Sequence, residues 1–152
     1  MNTYGYESPL GPLSITLGED TKIHRIRYEA TSTPLPDDHP LRETLDGYFA
    51  GECTLDDLSV ELAVPEFQSQ VLDAIRKIPA GEVRTYTWVA ETIGRPRAAR
   101  AVGNALGANP IPVVIPCHRV VAGSGLGGYT GGLDKKEFLL ALESKKLEPA
   151  GT

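Results

Sequence analysis

The sequence predicts an α+β fold: a small N-terminal β-sheet domain over residues 1–64, then a C-terminal helical domain over residues 65–152 that carries a helix-turn-helix. Three observations carry this division. In the first third, apolar and polar residues alternate as they do in half-buried strands. From Pro65 on, the apolar residues recur at the spacing of a helix face. Over 86–107 two short helical patterns flank a glycine-containing turn.

The elements follow in order. Thr3–Ser8 reads as a strand, and Pro9-Leu10-Gly11-Pro12 as a turn, because proline fixes φ and glycine tolerates unusual dihedrals. Leu13–Leu17 and Ile23–Tyr28 alternate and read as further strands. Thr31–Pro40 holds prolines and aspartates and reads as a loop. Pro40–Ala50 reads as a helix with Leu41, Leu45 and Phe49 on one face, closed by Gly51. Leu58–Val64 alternates again and is expected to be a strand. Phe67, Val71, Leu72, Ile75 and Ile78 make one apolar stripe, stopped by Pro79-Ala80-Gly81. Thr85 is placed to cap a helix reaching Ile93, with Trp88, Val89 and Ile93 turned inward. After the turn Gly94-Arg95-Pro96, a helix over Arg97–Gly107 buries Ala98, Ala101, Val102, Ala105 and Leu106. A last helix is expected over Lys135–Glu143.

Composition narrows the function classes. Hydrophobic residues are 41% and charged residues 23%, the balance of a globular chain. No apolar run approaches the ~20 residues of a membrane span, so no membrane partner is expected. No basic region followed by an apolar stretch opens the chain, so a cytoplasmic location is expected. Cys53 and Cys117 are the two cysteines, and with no denser cysteine framework they read as free thiols. His24, His39 and His118 do not pair with them at zinc-like spacing, so no metal and no cofactor are expected.

The net charge of −5 conceals an asymmetry. Residues 1–64 carry twelve acids and four bases, whereas residues 65–152 carry eight acids and eleven bases. Arg84, Arg95, Arg97, Arg100 and Arg119 fall in one stretch whose only acid is Glu91. A local basic face can bind phosphate on an acidic protein, because screening limits distant acids to roughly a Debye length, ~8–10 Å. An ordinary solvated arginine face is the alternative. On the second helix of the pair, Arg97, Arg100 and Asn104 are spaced to share an outer face, with Gly103 and Gly107 near it. A helical glycine costs ~1 kcal/mol against alanine, and close approach of another backbone is one reason to keep it.

The strongest local feature is Asn109-Pro110-Ile111-Pro112-Val113-Val114-Ile115-Pro116-Cys117-His118-Arg119-Val120. Its prolines forbid a regular helix and predict an extended, stiff approach to Cys117. A thiol is a poor nucleophile until it ionises, and adjacent basic groups favour the thiolate. In an extended segment neighbouring side chains oppose, so His118 needs a turn or a bridging water to take the thiol proton. A lone buried cysteine beside a structural histidine is the other reading of the pair.

These residues resemble the methylated-DNA–protein-cysteine methyltransferase, or 6-O-alkylguanine-DNA alkyltransferase, family. Pro116-Cys117-His118-Arg119-Val120 is similar to the family's active-site motif in full. Gly81-Glu82-Val83 with Tyr86, Ala98–Gly103, Asn109-Pro110, Tyr129–Leu133, and Lys136-Glu137 with Leu139, Leu140 and Glu143 follow in the family's order. Over residues 1–64 the resemblance rests mainly on Ser8–Pro12 and the strand pattern.

The resemblance implies direct, irreversible, single-turnover repair of 6-O-alkylguanine in duplex DNA, with no obligate protein partner. It implies Cys117 as the alkyl acceptor, His118 as its base through a water, and Glu143 as the group orienting His118. It gives Asn109 the tie between the helix pair and the cysteine loop, and Arg100 the gap left by the flipped nucleotide. Tyr86 would promote flipping and hydrogen-bond the base. Independently of the resemblance, the outer face of the second helix leads us to expect Arg97, Gly103 and Asn104 at DNA, and Arg119 with them. The backbone near Cys117 and Val120, and the Thr130 amide, would read guanine, while Pro112 and Tyr129 wall the alkyl pocket. Some family members hold zinc in the N-terminal domain through cysteines and histidines, and that set is lacking here. Three alternatives stay open: a non-catalytic alkylguanine sensor, which would lack an acceptor such as Cys117; a helix-turn-helix regulator without chemistry; and a thiol hydrolase.

Overall fold

The computed structural model describes residues 1–146, which divide into two compact units, Met1–Leu62 and the chain from Ala63 on. The architecture is α+β: a three-stranded antiparallel sheet with one helix in the first unit and four helices in the second.

In the first unit, β1 (Asn2–Ser8), β2 (Gly11–Leu17) and β3 (Ile23–Arg27) form an antiparallel meander in the order β1-β2-β3. Ser8 pairs with Gly11, so Pro9 and Leu10 make the turn, and Gly11 takes the φ of 99° that it alone tolerates. One face buries Tyr6, Leu13, Ile15, Leu17, Ile23 and Ile26. Helix α1 (Pro40–Phe49) is capped by His39, whose Nδ1 accepts the Leu41 amide, and has proline at its first position. Its buried face is Leu41, Leu45 and Tyr48, with Phe49 half-buried and set edge-on to Tyr48.

The strand expected over Leu58–Val64 does not form. Val60 makes a single bridge to Ile23, flanked by the bonds Ile23 N to Ser59 O and Glu61 N to Ile23 O. The alternation is real, with half-buried and exposed residues succeeding one another from Leu58 to Val64, but it records an extended chain lying along an edge. Gly5 and Pro34 bridge in the same way at the other edge. Each edge is thereby covered at one point by irregular chain, which hinders pairing with another sheet.

The second unit begins with α2 (Glu66–Ile75), which buries Val71, Leu72, Ala74 and Ile75. β4 (Arg84–Thr85) pairs in parallel with β5 (Val120–Val121). Thr85 ends β4 and caps α3 (Tyr86–Thr92), its hydroxyl accepting the Trp88 amide at 3.0 Å. α4 (Ala99–Gly107) buries Val102, Ala105 and Leu106, and α2, α3 and α4 all pack on one another. α5 (Leu133–Lys146) closes the described chain. Up to residue 144 its buried residues are Lys136, Leu139 and Glu143, spaced i, i+3, i+7 on one face. No described helix is long and apolar enough to cross a membrane.

Candidate functional site

The segment before Cys117 is compact rather than extended. Residues 112–114 form a turn closed by the Ile115 amide on the Ile111 carbonyl at 2.9 Å, and Val113 sits at φ 74°. The prolines do exclude a regular helix, but buried Ile111, Val113, Val114 and Ile115 fold the chain back on itself. Asn109 makes this possible. Its Nδ2 donates to the Ile115 carbonyl and its Oδ1 accepts the Ile111 amide, both at 2.9 Å. That side chain supplies the partner the Ile111 amide would otherwise lack, and a second donor to the Ile115 carbonyl, which also accepts the Cys117 amide at 2.8 Å.

Cys117–Arg119 is one turn of 3-10 helix, and all three residues are buried. The turn places consecutive side chains on different headings without the strict opposition of a strand. His118 Nε2 lies 2.9 Å from Glu143 Oε2. Its Nδ1 is buried and has no hydrogen-bond partner among the described residues.

Arg119 corrects the sequence reading. It is 2% exposed and takes no place on a DNA face. Its Nε donates to Glu143 Oε1 and its Nη2 to Glu143 Oε2, both at 2.9 Å, while Nη1 donates to the Ile78 carbonyl at 2.7 Å. An arginine beside a cysteine motif reads as a surface cation until its carboxylate, 24 residues further on, is known.

The charges in this cluster set one another. Burial pushes the Cys117 thiol up, against a hydrogen bond with Asn109 and the charge of Lys136. Burial pushes His118 down, outweighing Glu143, with Arg119 and Lys136 adding to the fall. Burial alone would raise the Glu143 carboxyl, but hydrogen bonds from His118 and Arg119 and their charges hold it well below the usual carboxylate range. The resting cluster is a thiol, a neutral imidazole and a carboxylate gripped by a guanidinium.

Cys117 opens onto a cavity of about 270 Å³, lined also by Tyr86, Gly103, Leu106, Gly107, Gly128, Tyr129 and Thr130. That is near the lower end for small-molecule sites, ~300 Å³, and suits one planar ring system. Tyr86 and Gly103 bring the helix pair into this wall. Of the expected pocket residues, Tyr129 and Thr130 line it, and Pro112 and Val120 do not. Pro112 is buried in the turn, and the Val120 carbonyl accepts Lys136 Nζ at 2.7 Å. Thr130 is held to the end of α4 by its hydroxyl, which donates to the Gly107 carbonyl at 3.0 Å.

Lys136 has no role in the sequence reading. It is fully buried, and its ammonium donates to the carbonyls of Val120, Leu126 and Gly128. The signal was present: a lysine standing in the stripe of Leu139 and Glu143 must be neutralised or fully hydrogen-bonded.

On the outer side, Arg95, Arg97, Arg100 and Asn104 are exposed. Arg97 precedes α4 in the turn rather than riding on the helix, because α4 starts at Ala99. Arg84 is half-buried, paired with Glu82 at 2.8 Å and stacked 5.5 Å over Trp88. A methyl at Gly103 would meet only the Tyr86 ring at 3.8 Å, and one at Gly107 would meet open space. Nothing within the unit requires glycine at either place. Among the described residues no cluster of three metal-ligating side chains occurs.

Residues 66–145 match the family described as the DNA-binding domain of 6-O-methylguanine DNA methyltransferase. The chain is 46% identical to a methylated-DNA–protein-cysteine methyltransferase of Mycolicibacterium paratuberculosis, covering 91% of this chain and 90% of that one. It is 40% identical to one from Methanosarcina acetivorans, over 91% and 95%. Among solved structures it is similar to Mycobacterium tuberculosis OGT in complex with DNA: TM-score 0.87, 42% identity, 99% of this chain and 96% of that chain.

Proposed function

The chain belongs to the methylated-DNA–protein-cysteine methyltransferase family, and from that premise we propose that it repairs duplex DNA by moving the alkyl group of a flipped 6-O-alkylguanine irreversibly onto Cys117. One observation carries the reading. Cys117 is a buried thiol, followed by a His118–Glu143 contact, on the wall of a cavity shared with Tyr86 and Gly103 of the helix pair.

Inside a base stack the alkyl carbon is out of a nucleophile's reach, so the base must leave the duplex. Flipping costs a few kcal/mol, and a side chain entering the stack from the minor groove offsets part of it. Arg100, exposed in the first turn of α4, takes that task. Arg97 and Asn104 meet the backbone, and Gly103 lets it come close. The flipped base enters the cavity between Tyr86 and the Gly128–Thr130 segment, where the Thr130 amide donates to the 6-oxygen.

The thiol proton then passes to His118 Nδ1, directly or through one water, as Glu143 holds the far side of the ring. The thiolate attacks the alkyl carbon. A C–S bond forms as the C–O bond breaks, and the electron pair stays with the guanine oxygen. Tyr86 hydrogen-bonds or protonates the leaving guanine. A proton given by Tyr86 is returned to it from His118 through water, so the guanine gains the one proton the thiol lost and both side chains end neutral. A thioether does not hydrolyse, and each molecule therefore reacts once. The protein works in the cytoplasm without an obligate partner.

Intact-protein mass spectrometry tests this, after mixing with excess duplex carrying one 6-O-methylguanine. The expected result is a gain of one methyl per protein on Cys117, absent from Cys117→Ser. Tight lesion binding without gain would leave a damage sensor. Neither gain nor lesion preference would leave a helix-turn-helix alone.

A further inference from the structure

The Glu143 carboxylate is shared. Its Oε2 accepts from both Arg119 Nη2 and His118 Nε2, while its Oε1 accepts Arg119 Nε, all at 2.9 Å. An arginine stays charged at any working pH, and the two-pronged grip fixes the carboxylate plane. An ionised carboxylate only accepts hydrogen bonds, so the hydrogen of that contact sits on His118 Nε2. In a neutral ring Nδ1 is then bare, and Nδ1 is the buried atom without a partner among the described residues.

The surroundings disfavour a second proton on that ring. On its own turn His118 has Cys117 and Arg119, and from α5 it meets Glu143 and Lys136. α2, which also packs on this turn, buries Val71, Leu72 and Ile75 and leaves its charged Glu66 and Asp73 exposed. Among the described residues Glu143 is thus already paired with Arg119, and Lys136 brings a second positive charge towards the ring, before His118 takes a charge.

We propose that Arg119 is a positioning residue of the transfer: by gripping Glu143 it fixes His118 as the Nε2–H tautomer with Nδ1 as the base, and it keeps the ring neutral and Cys117 a thiol until the substrate is seated. The inference rests on the proposed roles of Cys117 and His118. Its consequence is protective. A thiolate reacts with stray electrophiles and oxidants far faster than a thiol, and a protein with one turnover loses its function to any such event.

The first test is imidazole 15N NMR of the whole protein between about pH 6 and pH 8. His118 is expected to show one protonated nitrogen, Nε2, and one bare nitrogen throughout. An imidazolium near pH 7, or the Nδ1–H tautomer, overturns the inference. The second test is the pH dependence of Cys117 carboxamidomethylation by iodoacetamide. Without the guanidinium, Glu143 acts on His118 alone, and the imidazolium–thiolate pair is favoured. In Arg119→Met the half-point falls by about one pH unit. The rate near neutrality rises about threefold, since a less basic thiolate is also a weaker nucleophile. Arg119→Lys keeps the charge and falls between Arg119→Met and the wild type. Profiles unchanged in both folded variants overturn the inference. Should Arg119→Met fail to fold, Arg119→Lys and the wild-type NMR decide. If the wild type gains no methyl from lesion DNA yet shows the stated tautomer, the function falls and this geometry stands. A methyl gain with the wrong tautomer removes this inference alone.

Discussion

Asn109 closes both ends of the turn that leads into Cys117, donating to the Ile115 carbonyl and accepting the Ile111 amide at 2.9 Å each. Truncation strands the Ile111 amide, in a fully buried residue, and takes from the Ile115 carbonyl one of its two donors, leaving it the Cys117 amide at 2.8 Å. An orphaned buried group costs ~1–3 kcal/mol. Asn109→Ala is expected to lose about 2 kcal/mol of stability, discounted for access of water to a half-buried side chain. The larger effect falls on transfer, because the turn that aims Cys117 relaxes. Urea denaturation and single-turnover methyl transfer check this, and a stable variant with full transfer rate would refute it.

Lys136→Met removes the ammonium that ties Val120, Leu126 and Gly128 to α5. Gly128 and the next two residues line the cavity, so the segment proposed to receive the base loses its anchor. Amide hydrogen exchange over residues 121–130 should accelerate by at least about tenfold, which is ~1.4 kcal/mol of local opening. Affinity for undamaged duplex should hold while preference for 6-O-methylguanine falls. Unchanged exchange in this segment would mean that the three hydrogen bonds do not hold it.

Much of this was legible in the sequence for a definite reason. β1, β2, α1 and α2 are recorded in local periodicity, and Thr85 announces α3 by a cap that needs only three residues. The cysteine motif was legible through its neighbours in sequence. What could not be read was long-range pairing. Arg119 looks like a surface cation because Glu143 lies 24 residues away. The stripe of Leu139 and Glu143 marks Lys136 as a lysine in need of partners, but those partners are backbone carbonyls, which no side-chain pattern displays. Pro112 and the residues around it look extended because proline excludes a helix without saying where the chain turns back. Leu58–Val64 alternates truly, yet alternation reports burial of every second side chain and not the ladder beside it.

Acid should unfold the protein through the His118–Glu143 pair. Glu143 is held below the usual carboxylate range in the folded state, so its contribution is present above the unfolded value near 4.5 and is lost as pH falls below it. His118 is pushed below its ordinary 6.5, so the unfolded chain binds its proton first, and stability also declines as pH drops through that value. The two act in the same direction. Denaturant midpoints should fall from about pH 7 to about pH 5, then more steeply below about pH 4.5. His118→Gln should flatten the upper part of the decline. A flat profile between pH 7 and pH 5 in the wild type would show that His118 does not bury a neutral ring.

Arg97 and Arg100 are both exposed, three residues apart, yet they should fail differently. Arg97 sits in the turn before α4 and can reach only outward, to phosphate. Arg97→Ala should therefore weaken binding to damaged and undamaged duplex alike, and lower the slope of log affinity against log salt by ~0.9. Arg100 is proposed to occupy the stack. Arg100→Ala should leave ground-state binding within a few-fold but slow methyl transfer by at least about tenfold, since the few kcal/mol of unstacking are no longer offset. Anisotropy of a labelled duplex reports binding, while mass gain reports transfer. A transfer defect in Arg100→Ala that disappears at saturating DNA would mean a phosphate contact, and the intercalating role would be lost. One that persists at saturation separates flipping from binding in these two arginines.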